Sequence, residues 1–214
     1  MGDSVRSTSS VACNAEMLKY LREQRGWTQE ELAHRAECSD RLVRKAESGQ
    51  PVQRQSIASF AAALDSAEHP VHPDDLTSDP VALAKKYTEA LHVHQANLVD
   101  AIRHFLDDEV VFRISGDPAV VPFAGEHRGV EAIDRGFKLF FSILELPENH
   151  NFTQHHRYIA QGTDVVIWGE SYLHPKGQPM AKPMSISNLL RFRRGKLYHF
   201  EDNYDTHWAA QVLA

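Results

Sequence analysis

The 214-residue sequence contains only two cysteines, Cys13 and Cys38. They are too few and too differently placed to form a disulfide framework, which excludes a small stapled scaffold. No apolar run is long enough to span a membrane, and nothing at the start resembles a leader; residues 1–13 are small and polar, as in a flexible tail. A surplus of positive charge is also missing. The formal net charge is −6, which argues against a generally sticky nucleic-acid binder. The imbalance is uneven: residues 14–65 carry eight basic and eight acidic side chains, whereas residues 66–214 carry 14 and 20. The chain has room for two domains, and a soluble cytoplasmic protein is expected.

The most informative stretch runs from Trp27 to Gly49. Thr28 is a good N-cap and Glu31 completes a capping box. Leu32, Ala33 and Ala36 share one apolar face. The chain breaks at Glu37-Cys38, Ser39 offers a second N-cap, and a second helix with Val43 and Ala46 inward runs to Gly49 and Pro51. Asp40, Arg41, Arg44 and Lys45 are left on its outer surface. A solvated helical hairpin would carry such a face. So would a reading helix for the DNA major groove. Further helices over Asn14–Arg25 and around Ile57, Phe60, Ala61 and Leu64 favour the second, because they complete a small all-α module.

The run LKYLREQRGWTQEELAHRAECSDRLVRKAESG resembles the XRE, or lambdoid phage repressor-like, helix-turn-helix family over roughly residues 14–65. The resemblance implies a double-stranded DNA operator as partner. It also implies a phosphate-clamping role for Gln29 and base reading by Asp40, Arg41, Arg44 and Lys45, with Thr28 and Ser39 at the helix starts counted among the DNA-binding residues. Glu37 stands where the family usually has a turn glycine, which means an unusual turn or some lost affinity.

Residues 66–79, SAEHPVHPDDLTSD, read as a linker with little to bury. His69 and His72 lack partners at metal-ligand spacing. From Asp79-Pro80 onward, Leu83, Tyr87, Ala90 and Leu91 mark a helix, and Asn97–Leu106 a second. A strand follows in EVVFRI, and Gly129–Leu144 is a third helix with Ile133, Phe137, Phe140 and Phe141 in a stripe. The runs FTQHHRYIA, DVVIWGESYL, MSISNLLRFRR and KLYHFEDNYD are strand-like. Helices followed by long strands predict an α+β cone, a curved antiparallel sheet wrapped on helices, over residues 80–214. A pocket is expected between them.

PFAGEHRGVEAIDRGFKLFF and RGKLYHFEDNYD resemble the SnoaL-like polyketide cyclase and ketosteroid isomerase group of the nuclear-transport-factor-like cone fold. Isomerase chemistry carried onto this chain places the tyrosine at Tyr87, the protonated acid at Asn188 and the general base at Arg113. Arginine cannot accept a proton at neutral pH, so that reaction is not expected. The cyclase acid/base position falls on Asp202, although Glu201 replaces the usual tryptophan before it. Strand alternation puts Phe200, Asp202 and Tyr204 on one face. Asp202 reads as a raised-pKa acid or base, or as an ion-pair partner of Arg113 or a ligand anchor. Arg113 either grips a ligand or satisfies Asp202 or the Asp107-Asp108 pair. Trp168 and Tyr172 line the pocket or pack the core. His155 and His156, adjacent in a strand, point to opposite faces, and His150 completes no metal set. His92-Val93-His94 lacks a cupin context. No metal or cofactor is expected.

Together these features predict a homodimeric DNA-binding regulator whose cone domain pairs two copies and takes a small apolar or aromatic effector. A cyclase or isomerase with a DNA-binding appendage is the alternative, and a cone serving only for dimerisation is a third.

Overall fold

The computed structural model describes residues 10–147, 155–179 and 182–213. Two compact units divide the chain, residues 1–79 and 80–214.

The first unit contains β1 (Ser10–Val11), α1 (Ala15–Gln24), α2 (Gln29–Arg35), α3 (Asp40–Glu47), β2 (Val52–Gln53) and α4 (Arg54–Leu64). The expected caps form. Thr28 Oγ1 accepts from Glu31 N at 3.2 Å while Glu31 Oε2 accepts from Thr28 N at 2.7 Å. Ser39 Oγ accepts from Leu42 N at 3.3 Å. Leu18, Leu32, Val43, Phe60 and Leu64 make the core. Glu37 adopts φ +51°, the left-handed conformation a glycine would take.

Two boundaries differ from the sequence reading. The tail ends earlier than residue 13: Ser10 and Val11 pair with Gln53 and Val52, and Cys13 is buried. Residues 66–79 do not form a free linker on the head. Val71 and Leu76, the segment's scarce apolar side chains, are both buried in the head core. Asn14 N donates to Leu76 O at 2.8 Å and Asn14 Nδ2 to Ser78 O at 2.8 Å. Arg25 Nη2 reaches Leu64 O at 2.6 Å, and Val71 N donates to Asp65 Oδ1 at 2.9 Å. The polar residues here satisfy backbone groups and fasten an irregular segment.

The second unit contains α5 (Pro80–His94), α6 (Leu98–Ile102), β3 (Leu106–Ile114), β4 (Gly125–Arg128), α7 (Val130–Ile143), β5 (Leu144–Glu145), β6 (Arg157–Gln161), β7 (Asp164–Ser171), β8 (His174–Pro175), β9 (Met184–Arg193), β10 (Lys196–Tyr204) and α8 (Thr206–Leu213). The second expected helix shrinks to α6 between two 3-10 turns. The main sheet has order β4-β3-β10-β9-β7-β6. The four late strand-like runs form the expected antiparallel stretch β6-β7-β9-β10; only the pairing of β10 with the earlier strand β3 is parallel. Phe112, Val165, Ile167, Leu190, Phe192 and Phe200 meet the stripe of α7 on its inner face. The first part of the FTQHHRYIA run, and His150, lie outside the described residues.

A register shift in β10 between Leu197 and His199 occurs against both neighbours. Leu197 is fully buried, and so is Phe200 three residues on. That spacing breaks the two-residue period, so the bulge at Tyr198 switches which parity faces inward.

A left-handed non-glycine residue costs about 1–2 kcal/mol, offset in part by the extra unfolded freedom of glycine. Glu37→Gly is therefore expected to stabilise the head by about 0.5–1 kcal/mol in urea unfolding. A lower midpoint in the variant would show that the Glu37 side chain makes a compensating contribution.

Candidate functional site

In the head, α3 is held from below by a buried ion pair. Arg22 on α1 donates to Glu47 at the end of α3, Nε–Oε1 2.6 Å and Nη2–Oε2 3.1 Å. Both side chains are almost wholly buried, at 9% and 5% exposure. Arg22 Nη1 also donates to Trp27 O at 2.7 Å, so the guanidinium binds three elements together. Gln29 Nε2 donates to Glu47 Oε2 at 2.7 Å, which leaves its second amide hydrogen for any phosphate. The Thr28 and Ser39 hydroxyls accept in their caps, and their own O–H groups remain as donors. Arg41, Arg44 and Lys45 are exposed and Asp40 half-buried. Among the described residues none of them takes part in an ion pair; those found in the head are Lys19–Glu23, Arg22–Glu23 and Arg22–Glu47. The outer face of α3 is thus basic and uncommitted.

In the cone, β9, β10, α5, α7 and α8 enclose a cavity of about 100 Å³. Five of the eight residues expected there line it: Tyr87, Asn188, Phe200, Asp202 and Tyr204. Asp202 and Asn188 are direct partners across β10–β9. Burial alone pushes the Asp202 carboxyl up to about 7. Tyr87 and Tyr204 are raised too, first by burial and then by the charge on Asp202. Tyr204 Oη donates to Ser115 O at 2.6 Å, which fixes its ring as a wall. Phe200 lies 5.3 Å from Tyr87 and 4.7 Å from Phe112, ring centre to ring centre. Among the described residues the buried Asn188 Oδ1 has no hydrogen-bond partner.

The other three expected residues are not in the cavity. Arg113 has the opposite parity to Phe112 and Ile114 and sits on the outer face. There Nε donates to Glu126 Oε2 at 2.8 Å, and Nη1 lies 3.8 Å from Glu201 Oε1. It satisfies neither Asp202 nor the Asp107-Asp108 pair; Asp107 is taken by Arg193 at 2.9 Å. Trp168 is 52% exposed, with the Arg157 guanidinium 5.7 Å from its ring. Tyr172 donates to Glu170 Oε2 at 2.9 Å instead of facing inward. On β7 it is Ile167 and Ser171 that line the space.

Sequence reasoning missed α8 altogether, although Trp208, Ala209, Val212 and Leu213 fall at helical spacing and close one side of the cavity. It also missed His156, which reaches the cavity because Gly169 has no side chain. A Cβ at Gly169 would lie 2.6 Å from His156 Cδ2. His156 Nε2 lies 3.1 Å from Glu170 O, and burial lowers its pKa. Among the described residues no group of three or more His, Cys, Asp or Glu side chains is placed to hold a metal. No described helix is long and apolar enough to cross a membrane.

Comparison with known proteins agrees with both units. Residues 15–72 match a helix-turn-helix domain model. Residues 84–200, more than half of the chain, match the SnoaL-like domain model. The chain belongs to the SnoaL-like domain family. Among solved structures it is similar to an NTF2-like protein of unknown function from Burkholderia pseudomallei, at 17% identity and TM-score 0.53, covering 64% of this chain and 98% of that one. It is also similar to TerC co-crystallised with polyporic acid, at 16% identity and TM-score 0.50, covering 63% and 98%. At these identities the likeness shows the fold alone. No curated protein sequence matches.

Because the folded carboxyl of Asp202 titrates above its unfolded value, its penalty vanishes below the unfolded value of 3.8, is small at pH 4, develops as pH rises toward 7 and is complete above it. With partial exposure through the cavity, the cost is on the order of 2 kcal/mol. Asp202→Asn is expected to stabilise the cone domain at pH 8 and to change little at pH 4 in urea unfolding. Equal effects at both pH values would contradict the buried, unpaired carboxyl.

Proposed function

We propose that the chain is a one-component transcriptional regulator. Its XRE-type head reads a short operator, and its cone domain pairs two copies and senses a small apolar or aromatic molecule in the cytoplasm. The observation that carries this reading is the uncommitted basic face of α3, capped by Ser39 and anchored from beneath by Arg22–Glu47. In this reading Arg41 pairs with guanine, Asp40 accepts from cytosine or orients Arg41, and Arg44 and Lys45 meet phosphates or bases. Residues 14–65 are electrically neutral and residues 66–79 add only acidic side chains, so non-specific attraction is modest and two heads on a palindrome are needed for tight binding.

The enclosed cavity supports sensing over a cone that only dimerises, since a filled core would leave no such space. The segment 66–79 is fastened to the head by hydrogen bonds, so coupling does not run through a slack tether. Helix α5 begins at Pro80, the first residue of the second unit, and carries Tyr87 and Leu91 into the cavity wall. A ligand there touches the helix that follows the head directly in sequence. It acts only if it prefers one arrangement of the dimer.

A second reading, a cyclase or isomerase, is favoured by one observation: a carboxyl facing the cavity and titrating near neutrality. Turnover lost in Asp202→Asn with operator binding intact would support it.

Fluorescence anisotropy on fragments from upstream of the protein's own gene, at two salt concentrations, tests the regulator. One fragment is expected to bind tightly, and Arg41→Ala/Lys45→Ala to weaken it by about 2–4 kcal/mol, with a shallower salt slope. Equal binding to every fragment, or none, would contradict sequence-specific reading.

A further inference from the structure

The cavity's charge, polar neighbours, walls and size together specify the chemistry of its occupant, on the reading that it holds a small molecule. Asp202 is the only carboxylate among the described lining residues, and no lysine or arginine lines the space. The other titratable groups facing it are Tyr87 on α5, Tyr204 on β10 and His156 before β6. Burial and the nearby carboxylate hold both phenols protonated, and burial holds His156 toward its neutral form. An anion in this space would meet a carboxylate with no cation to offset it.

Beside Asp202 on the next strand, Asn188 Oδ1 is a buried acceptor with no donor among the described residues. Two adjacent oxygen acceptors call for a ligand with more than one N–H. The walls are aromatic: Tyr87 and Phe200 at 5.3 Å, Phe123 and Phe140 at 4.7 Å. Aromatic faces attract cations. The volume of about 100 Å³ suits a small occupant.

We propose that the cavity takes a small organic cation, an aliphatic amine in its ammonium form, with its N–H groups shared by Asp202 and Asn188 and its apolar part against the aromatic wall. The amine supplies the counter-charge the protein lacks, and Asp202 gives up its proton on binding. A simple amine stays protonated well above neutral pH, near the lysine value of about 10.4, so the pH dependence of binding between pH 5 and 8 comes from Asp202.

Calorimetric titration of the full-length protein with isobutylamine, isobutanol and isobutyrate tests this. At pH 8 the amine is expected to saturate with a Kd at least about tenfold below that of the alcohol, and isobutyrate to bind weakest. Lowering the pH to 5 should weaken the amine about tenfold or more and leave the alcohol unchanged. Asp202→Asn should bring the amine to the level of the alcohol, and Asn188→Ala should weaken the amine severalfold. Alcohol or isobutyrate binding as tightly as the amine, no saturation by the amine, or discrimination retained in Asp202→Asn would overturn the proposal. DNA is absent from this readout. Failed operator binding with intact amine binding would sink the regulator and spare the site, and the reverse result would do the opposite.

Discussion

The cone's chemistry depends on the two-residue period of a strand and on one interruption of it. In β3, Phe112 and Ile114 face the core, and Arg113 between them is committed to the outside with Glu126 and Glu201. In β10 the bulge at Tyr198 changes the inward parity. Continued from Leu197 without it, the strand would turn Glu201 and Asn203 into the core and Asp202 outward. With it, Phe200, Asp202 and Tyr204 enter the cavity, and Glu201 joins Arg113 and His199 on the outer face. One extra residue in one strand therefore decides that the buried acid is the one with no basic partner among the described residues.

The two units treat buried charge in opposite ways. In the head, Glu47 receives two bonds from Arg22 and a third from Gln29, so the charge is fully used and α3 is locked to α1 and α2. Breaking such a pair leaves an uncompensated charge and typically costs about 3–5 kcal/mol. In the cone, Asp202 has desolvation without compensation, and its carboxyl moves toward neutral pH as a result. The first arrangement builds a rigid platform for side chains that act elsewhere. The second leaves free energy to be recovered when a suitable group arrives.

Much of this was legible in the chain itself. The caps at Thr28 and Ser39, the apolar faces of α1 to α4 and the stripe of α7 are local patterns, and each element lies within a residue or so of its expected place. Phe200, Asp202 and Tyr204 followed from alternation because the bulge precedes them. The misplacements share a cause, namely non-local information. Arg113 was assigned by its family position, whereas its facing is set by Phe112 and Ile114. Trp168 and Tyr172 looked like pocket aromatics, but Val165 and Ile167 hold the inward parity of β7. The segment 66–79 has linker composition, and its two apolar residues and acceptors matter only once Asn14 and Arg25 are brought alongside by folding. Glu37 departs from the glycine of the resemblance yet takes a glycine's conformation, so the turn survives the substitution. Helix α8 carried a readable spacing in a segment too short to stand out.

The most direct test of the central claim is selection of bound duplexes from a random-sequence library by the full-length protein. The account predicts enrichment of a palindrome whose two half-sites lie about one helical turn, roughly 34–36 Å, apart. Enrichment lost with Arg41→Ala would tie the reading to α3. A library that emerges without a consensus, or with a single unpaired half-site, would contradict a dimeric sequence reader.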